Sequence, residues 1–392
     1  MPQKKEMPLK IMISAGEISG DRYGAQLVQE LSKSNEDISF YGMGHRAMEN
    51  SGVQLLANLS GQSTIGVLEP LLYLPKILKA LQKMKAFLRK ERPDVFIAID
   101  FQGFNMMVCK EAKKLGIPVV YFISPQEWQW GTESGGKKVT ECTDKILSIF
   151  KEEVPFYSKL GGDPVFIGHP MCDIAKSESI KDMFLKKENL DSSKDILALF
   201  PGSRAQEIKH VWPVIGQAAQ ELTERFPKLQ MVLAVADVEL IPKIKESFTP
   251  SSPLKFYEGS PYDLMKHTRL SLVTSGTVTL EHMLIGTPFI ANFRFHPISY
   301  WIIKKLVGKK FFERVKFISL PNILAKRKIV PENIQDDCNV ERLVSQAVNF
   351  LENEGEIVTL KSDYEEVKKS VYSVNVNKKA AEEILNLIKK GR

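Results

Sequence analysis

Cysteine is scarce in this chain. Four residues, Cys109, Cys142, Cys172 and Cys338, lie far apart among 392 and form no Cys-x-x-Cys pair. That spacing excludes a zinc knuckle or disulfide framework and points to reduced thiols in a cytosolic setting. No uncharged apolar run approaches the ~18 residues of a spanning helix. The first ten residues are polar and Lys-bearing, and Ile11-Met12-Ile13 is too short for the apolar core of a signal peptide. The expectation is a soluble or peripheral protein. Charge of one sign is not dominant either: the formal net charge is +7, so the placement of Lys and Arg matters more than their sum. Neither a Gly-x-Gly-x-x-Gly fingerprint nor a fixed-period repeat is present, which argues against a dinucleotide site and a solenoid.

What is present is ample apolar content, 43% of 392 residues, enough for two or three packed domains. The stretch from Ser271 to Ile290 has the densest grammar. An apolar run, Leu270 to Val273, reads as a buried strand; Thr274-Ser275-Gly276-Thr277 is a turn; Val278 to Ile285 reads as a helix stopped by Gly286-Thr287-Pro288. A small-residue turn entering a helix leaves backbone N–H groups at the positive end of the helix dipole, which suits a phosphate. Ser275 and Thr277 add hydroxyls, and Glu281, one turn on, could accept both hydroxyls of a ribose. The alternative is a plain βαβ turn with a capping Ser and a solvated Glu.

The same grammar recurs along the chain. Lys10 to Ser14 reads as a first strand, followed by Ala15-Gly16-Glu17-Ile18-Ser19-Gly20-Asp21 and a helix from about Arg22 to Ser32. Asp94 to Ile99 is a buried strand ending on Asp100, where either a general base or a helix-capping carboxylate would stand. Pro118 to Ser124 is the next strand, and the loop after it carries Trp128 and Trp130, which must pack or meet a ligand. His169 reads more readily as a satisfied loop histidine than as a catalyst. In the second half Ile196 to Phe200 forms a strand, Pro201-Gly202-Ser203-Arg204 a turn, and Glu207 onward a helix.

Two basic stretches stand apart. Pro70 to Arg92 is an amphipathic helix, with Leu74, Ile77, Leu78, Leu81, Met84 and Leu88 on one face and several lysines on another. Its basic side is either simply solvated or laid on anionic lipid. From Ile290 to Phe317, aromatics interleave with Lys and Arg, which suits a membrane interface, single-stranded nucleic acid, or a core helix with an ordinary wet face.

Taken in order, several of these stretches resemble one family. Gly16 to Asp21, Ile99-Asp100 with Phe104-Asn105, Ser124-Pro125 with Trp128-Gln129-Trp130, and Phe166 to His169 are similar to the first half of lipid-A-disaccharide synthases. Pro201 to Arg204, Ser275-Gly276-Thr277 with Glu281, and Ser319-Leu320-Pro321-Asn322 are similar to the second half. The resemblance implies an α/β GT-B fold: two Rossmann-like doubly wound domains, residues 1–168 and 169–350, with an interdomain cleft, then C-terminal helices over 351–392 that dock on the first domain or a partner subunit. It implies transfer of 2,3-diacylglucosamine from UDP-2,3-diacylglucosamine to 2,3-diacylglucosamine 1-phosphate, giving a β-1,6 disaccharide and UDP. Asp100 would be the base. Arg204 with Ser275, Gly276 and Thr277 would hold the diphosphate, and Glu281 the ribose. Glu17, Ser19, Asp21 and Asn322 would touch sugar or acceptor. No Asp-x-Asp occurs, so neither metal nor cofactor is expected. The resemblance implies an anionic membrane surface on the cytoplasmic face of the inner membrane as a partner and allows a homodimer; nucleic acid is not expected.

Two positions depart from the family pattern. Gly103 stands where the family usually has a second Asp, which weakens any two-carboxylate scheme. Residues 131–138 replace the Arg-Gln that usually follows Trp130, and read as a longer, more flexible loop. The rival readings are another UDP-sugar enzyme of the same fold, such as a UDP-N-acetylglucosamine 2-epimerase, and a membrane-surface binding protein without turnover. The joint presence of Asp100, Arg204 and Glu281 argues against the second.

Overall fold

The structure is a computed structural model, and it describes residues 8–34, 37–59, 69–129, 131–294 and 316–391, with backbone alone for 69–73. Most of the aromatic and basic stretch after Ile290, and Trp130, lie outside the described residues. Contacts divide the chain into two compact units, each described by itself: Ile174–Lys369 forms the second, and the chain up to Asp173 joins Ser370–Arg392 in the first.

The first unit is a parallel sheet whose described strands are β1 (Leu9–Ala15), β2 (Ile38–Met43), β3 (Val53–Ala57), β4 (Val95–Ile99), β5 (Val119–Phe122), β6 (Lys145–Ser148) and β7 (Pro164–Phe166). Their order is β3-β2-β1-β4-β5-β6-β7, so the sheet reverses direction between β1 and β4. All five residues of β4 are buried, as expected of a central parallel strand covered by helices on both faces. Its apolar run, with no polar alternation, is the sequence's statement of that position. One face packs Phe96, Ala98 and Tyr121 against Phe104 and Val108 of the helix Gln102–Lys114 and Leu81, Met84 and Leu88 of the helix Glu69–Glu91.

The helix Glu69–Glu91 uses its stripe only in part. Leu81, Met84 and Leu88 are buried, but Leu74 and Leu78, expected on the same face, are 46% and 47% exposed. The helix expected from about Arg22 begins a turn earlier, at Ile18. Residues 131–138 are no flexible loop: Thr132 caps a helix, Glu133–Glu141, with its hydroxyl accepting from the Gly135 N–H at 3.0 Å. A Thr three residues before a Gly-Gly pair had disguised an ordinary N-cap.

The second unit repeats the topology with β8 (Asp195–Phe200), β9 (Leu229–Ala234), β10 (Leu254–Tyr257), β11 (Thr268–Thr274), β12 (Phe289–Phe293) and β13 (Glu332–Ile334). Their order is β10-β9-β8-β11-β12-β13, all parallel, with the reversal between β8 and β11. β3 and β13, short and mixed in character, went unread in the sequence.

The C-terminal helices do not form a region of their own. Glu354–Val371 belongs almost wholly to the second unit, where buried Tyr364 stacks on Phe289, ring centroids 6.3 Å apart. The chain then returns to the first unit. His169 N–H donates to the Val371 carbonyl at 2.9 Å, and the Asn377 amide donates to Gln26 at 3.0 Å. The stripe Ala380, Ala381, Ile384 and Ile388 of the helix Val376–Gly391 is buried there, so this helix docks on the first domain, one of the two expected sites.

Candidate active site

In a doubly wound sheet, ligands bind where the strand order reverses, at the carboxyl ends of the two flanking strands. In the first unit Ala15 pairs with Ile99, so Gly16 and Asp100 leave the sheet side by side. Asp100 and Phe101 both take positive φ, 46° each. That left-handed region is uncommon for Asp and a true outlier for a bulky Phe, costing about 1–3 kcal/mol each. The surroundings hold them there. Asn105, fully buried, donates to the carbonyls of Asp100 at 2.8 Å and Ile99 at 3.0 Å and accepts from Ser14 Oγ at 2.6 Å. The Tyr121 hydroxyl donates to the same Asp100 carbonyl at 2.9 Å. The Phe101 ring lies over Gly16, where a Cβ would come within 2.3 Å of it. Glycine there lets the Glu17 loop close on Asp100.

The Asp100 carboxylate is solvent-exposed but crowded by protein. That crowding, reinforced by the charge of Glu17, raises its pKa above the ordinary carboxylate value; the Phe101 N–H pulls weakly the other way. Phe101, not Asp100, is the N-cap of the following helix, and its side chain makes no capping bond. Glu17, the N-cap of the helix Ile18–Ser32, and Ser19 in its first turn are half-buried. Asp100 borders a pocket of about 340 Å³ with Gln102, Ser124, Pro125, Gln126 and Glu127. Glu127 is a member the sequence reading missed: it accepts from Gln102 at 2.6 Å and from the Thr132 N–H at 3.1 Å. Its signal was the glycines around it. A Cβ on Gly131 or Gly135 would lie about 2 Å from its carboxylate.

Asp21 is not at this surface. It is 3% exposed, and its carboxylate accepts from the N–H groups of His45 (2.7 Å), Ala47 (2.9 Å) and Met48 (3.2 Å). It anchors the start of the helix Arg46–Asn50, so the sugar contact expected of it is corrected to a structural one. His169 is likewise structural. Its Nδ1 accepts from the Met171 N–H at 3.1 Å, its ring meets Tyr23 and Phe150, and burial pushes its pKa down to about 3.

In the second unit Val273 pairs with Phe200, which sets the turns after β8 and β11 beside each other. Gly202 has φ 109°, and the Ser203 N–H donates to Glu207 at 2.9 Å. Glu207 also receives the Arg204 guanidinium at 2.9 Å. It is thus the residue that aims Arg204. Gly276 and Thr277 are exposed, Ser275 and Glu281 half-buried. A Cβ at Gly276 would meet nothing within 4 Å. Thr277 caps the helix Val278–Ile285 without a side-chain bond, and the helix dipole adds positive potential there.

Residues 318–320 are stitched to this turn. Ser275 Oγ donates to the Ile318 carbonyl at 3.4 Å, the Leu320 N–H to Thr279 Oγ1 at 3.3 Å, and Glu332 of β13 receives the N–H groups of Ile318 and Ser319. Asn322 turns inward instead. It is fully buried, accepting from the N–H groups of Ile329 (2.6 Å) and Val330 (2.9 Å) and donating to the Val330 carbonyl (2.9 Å). Its expected sugar contact is corrected: every polar atom is spent closing the 326–330 turn.

Comparison with known proteins settles the family. The profile of the lipid-A-disaccharide synthetase family matches residues 11–386. The chain belongs to that family. A curated lipid-A-disaccharide synthase of Sulfurihydrogenibium sp. is 36% identical over 398 residues, covering 98% of this chain and 99% of the relative. One from Geobacter metallireducens is 33% identical, covering 98% of each. Membership in the lipid-A-disaccharide synthetase family makes the protein a glycosyltransferase of lipid A biosynthesis. Among solved structures, the UDP-GlcNAc 2-epimerase of Neisseria meningitidis bound to UDP-GlcNAc superposes with TM-score 0.63 at 12% identity, covering 96% of this chain and 100% of that one. Acinetobacter baumannii MurG gives 0.58 at 13%, covering 98% and 100%. At such identities the likeness shows the fold alone: two Rossmann-like domains of GT-B type.

Proposed function

We propose that the enzyme joins UDP-2,3-diacylglucosamine to 2,3-diacylglucosamine 1-phosphate by one inverting displacement. Asp100 takes the proton of the acceptor 6-hydroxyl as its oxygen bonds to the anomeric carbon of the donor. The bond from that carbon to the diphosphate breaks, and UDP departs with the electron pair. The product is the β-1,6 disaccharide 1-phosphate. The observation that carries this reading is the presence, in one member of this family, of two strand edges of opposite chemistry, one in each unit. One holds a carboxylate of raised pKa beside Glu17, suited to proton abstraction. The other holds Arg204, an exposed Ser275-Gly276-Thr277 turn and a helix N-terminus, suited to a departing diphosphate. Glu281 would take the ribose hydroxyls, and Glu17 and Ser19 the sugar nearest the base. Arg204 and the backbone dipoles supply the positive charge in this scheme, with no metal or other cofactor in it.

Because both substrates carry acyl chains, the protein would work at the cytoplasmic face of the inner membrane as a peripheral protein. Exposed Leu74 and Leu78 beside exposed Lys76 and Lys79 favour that placement, since each cation near an anionic bilayer contributes about 1 kcal/mol. No helix among the described residues is long and apolar enough to cross a membrane. UDP release measured with each sugar alone and with both tests the reaction: release requiring both acylated sugars is expected, and release from the donor alone would overturn it. Co-sedimentation with anionic liposomes at low and high salt tests the placement.

A further inference from the structure

We propose that Tyr121 is a positioning residue for the catalytic carboxylate, acting through the main-chain carbonyl of Asp100. The proposal rests on the reading of Asp100 as the base.

Asp100 is the first of two consecutive non-glycine residues with φ 46°. Where the chain turns this sharply out of a strand, the direction of the side chain is set by the peptide that follows it. That peptide's carbonyl is gripped from two sides, by Asn105 Nδ2 at 2.8 Å and by Tyr121 Oη at 2.9 Å. The two grips differ in what they share. Asn105 also binds the Ile99 and Ser14 carbonyls and Ser14 Oγ, so its loss would disturb β1 and β4 together. Among the described residues the Tyr121 hydroxyl makes this one bond, and its ring is wholly buried in the core of the sheet, on β5. Burial holds the phenol well above its ordinary pKa, so it remains a donor throughout the working pH range. The position is therefore a fixed post rising from the core to the backbone of the base, while the carboxylate itself stays open to substrate.

Tyr121→Phe removes the hydroxyl and leaves the ring, so the core keeps its volume. In the full-length enzyme, with both acylated sugars, kcat should fall roughly tenfold, the scale expected when a reacting group is displaced by less than 1 Å. Both KM values should hold within about twofold, as for a loss felt only in the transition state. The acid limb of the kcat profile should move toward the ordinary carboxylate range as Asp100 relaxes into water. The decisive measurement is the cycle with Asp100→Asn. If Tyr121 works through the base, Tyr121→Phe costs nothing further in the Asp100→Asn enzyme. An equal cost in both backgrounds, including one caused by general loosening, overturns the proposal and leaves the base in place. So does full activity of Tyr121→Phe beside a crippled Asp100→Asn. Near-normal turnover of Asp100→Asn alone would remove the base, and the proposal with it.

Discussion

The two switch points share a topology and differ in how their backbones are built. At the first, between β1 and β4, the backbone is forced into the left-handed region at Asp100 and Phe101 and held by buried Asn105 and Tyr121. At the second, the turn after β11 has no residue of positive φ from Ser275 to Thr277, and its glycine faces open space. A group that must meet one proton from one direction needs a fixed bearing, and strain over-determined by its surroundings gives it. A diphosphate cradle needs several N–H groups and room for a ligand. The first edge is built by constraint, the second by clearance.

The sharpest way to break this contrast is at the constrained end. Asp100→Asn should lower kcat by about 10²- to 10⁴-fold, the usual worth of a general base, without weakening UDP binding. The folded state raises the Asp100 pKa and so disfavours its charge. The variant should therefore melt no lower than the parent at neutral pH, which calorimetry beside the kinetics would show. A loss of UDP affinity equal to the loss of rate would erase the division between the two edges.

Arg204→Ala probes the other end. A hydrogen bond to a charged group is worth about 1.5–3 kcal/mol, so donor kcat/KM and UDP affinity should both fall about 10- to 100-fold. The acid limb of the pH profile, which belongs to Asp100, should stay put. Movement of that limb would mean Arg204 acts on the base rather than on the diphosphate.

Glycine substitutions sharpen the comparison further within the second unit. Gly276→Ala adds a methyl to open space, so stability should change by no more than about 0.5 kcal/mol. Donor KM should still rise roughly tenfold, the scale of one misfit methyl group. Gly202→Ala should do the reverse. Its φ of 109° and a Cβ 2.5 Å from Glu207 Oε2 force strain, so melting temperature drops before affinity does. An unchanged donor KM in Gly276→Ala would show that no ligand approaches that turn.

Much of this was legible in the sequence, and the reasons differ by residue. The edge residues Glu17, Asp100, Arg204 and Ser275 to Thr277 could be placed because apolar runs mark central parallel strands and ligands gather at their carboxyl ends. The residues that hold those edges were not legible. Tyr121 and Asn105 act through partners at other positions in the fold, and nothing in a strand's apolar period says that a tyrosine donates to a neighbouring strand's carbonyl. Glu127 and Glu207 left only faint local signs, in the glycines packed against them. Asp21 and Asn322 show the opposite failure. Each sits in a motif with site residues, yet each is buried and spends its oxygens on backbone N–H groups, because a turn beside an active site must itself be tied down.

A last test lies in the core of the first unit, and it is read in stability rather than rate. Glu153 is fully buried in the first unit, and one oxygen accepts from the Ile149 N–H at 2.9 Å. Burial pushes its pKa up to about 8 from an ordinary 4.5. The folded state then holds a proton that the unfolded chain gives up, so stability from this group is full below 4.5 and drains away as pH rises toward 8. His169 has the opposite sign: with its pKa at about 3 against an ordinary 6.5, its contribution is lost as pH falls through that interval. Glu153→Gln keeps the neutral shape and removes the proton equilibrium. Its melting temperature should match or fall slightly below the parent's at pH 4.5 and exceed it by a few degrees at pH 8, with the acid-side decline due to His169 unchanged. Parallel melting curves for the two proteins across that range would mean Glu153 is ionised in the fold, and that the core behind the pocket is wetter than its burial implies.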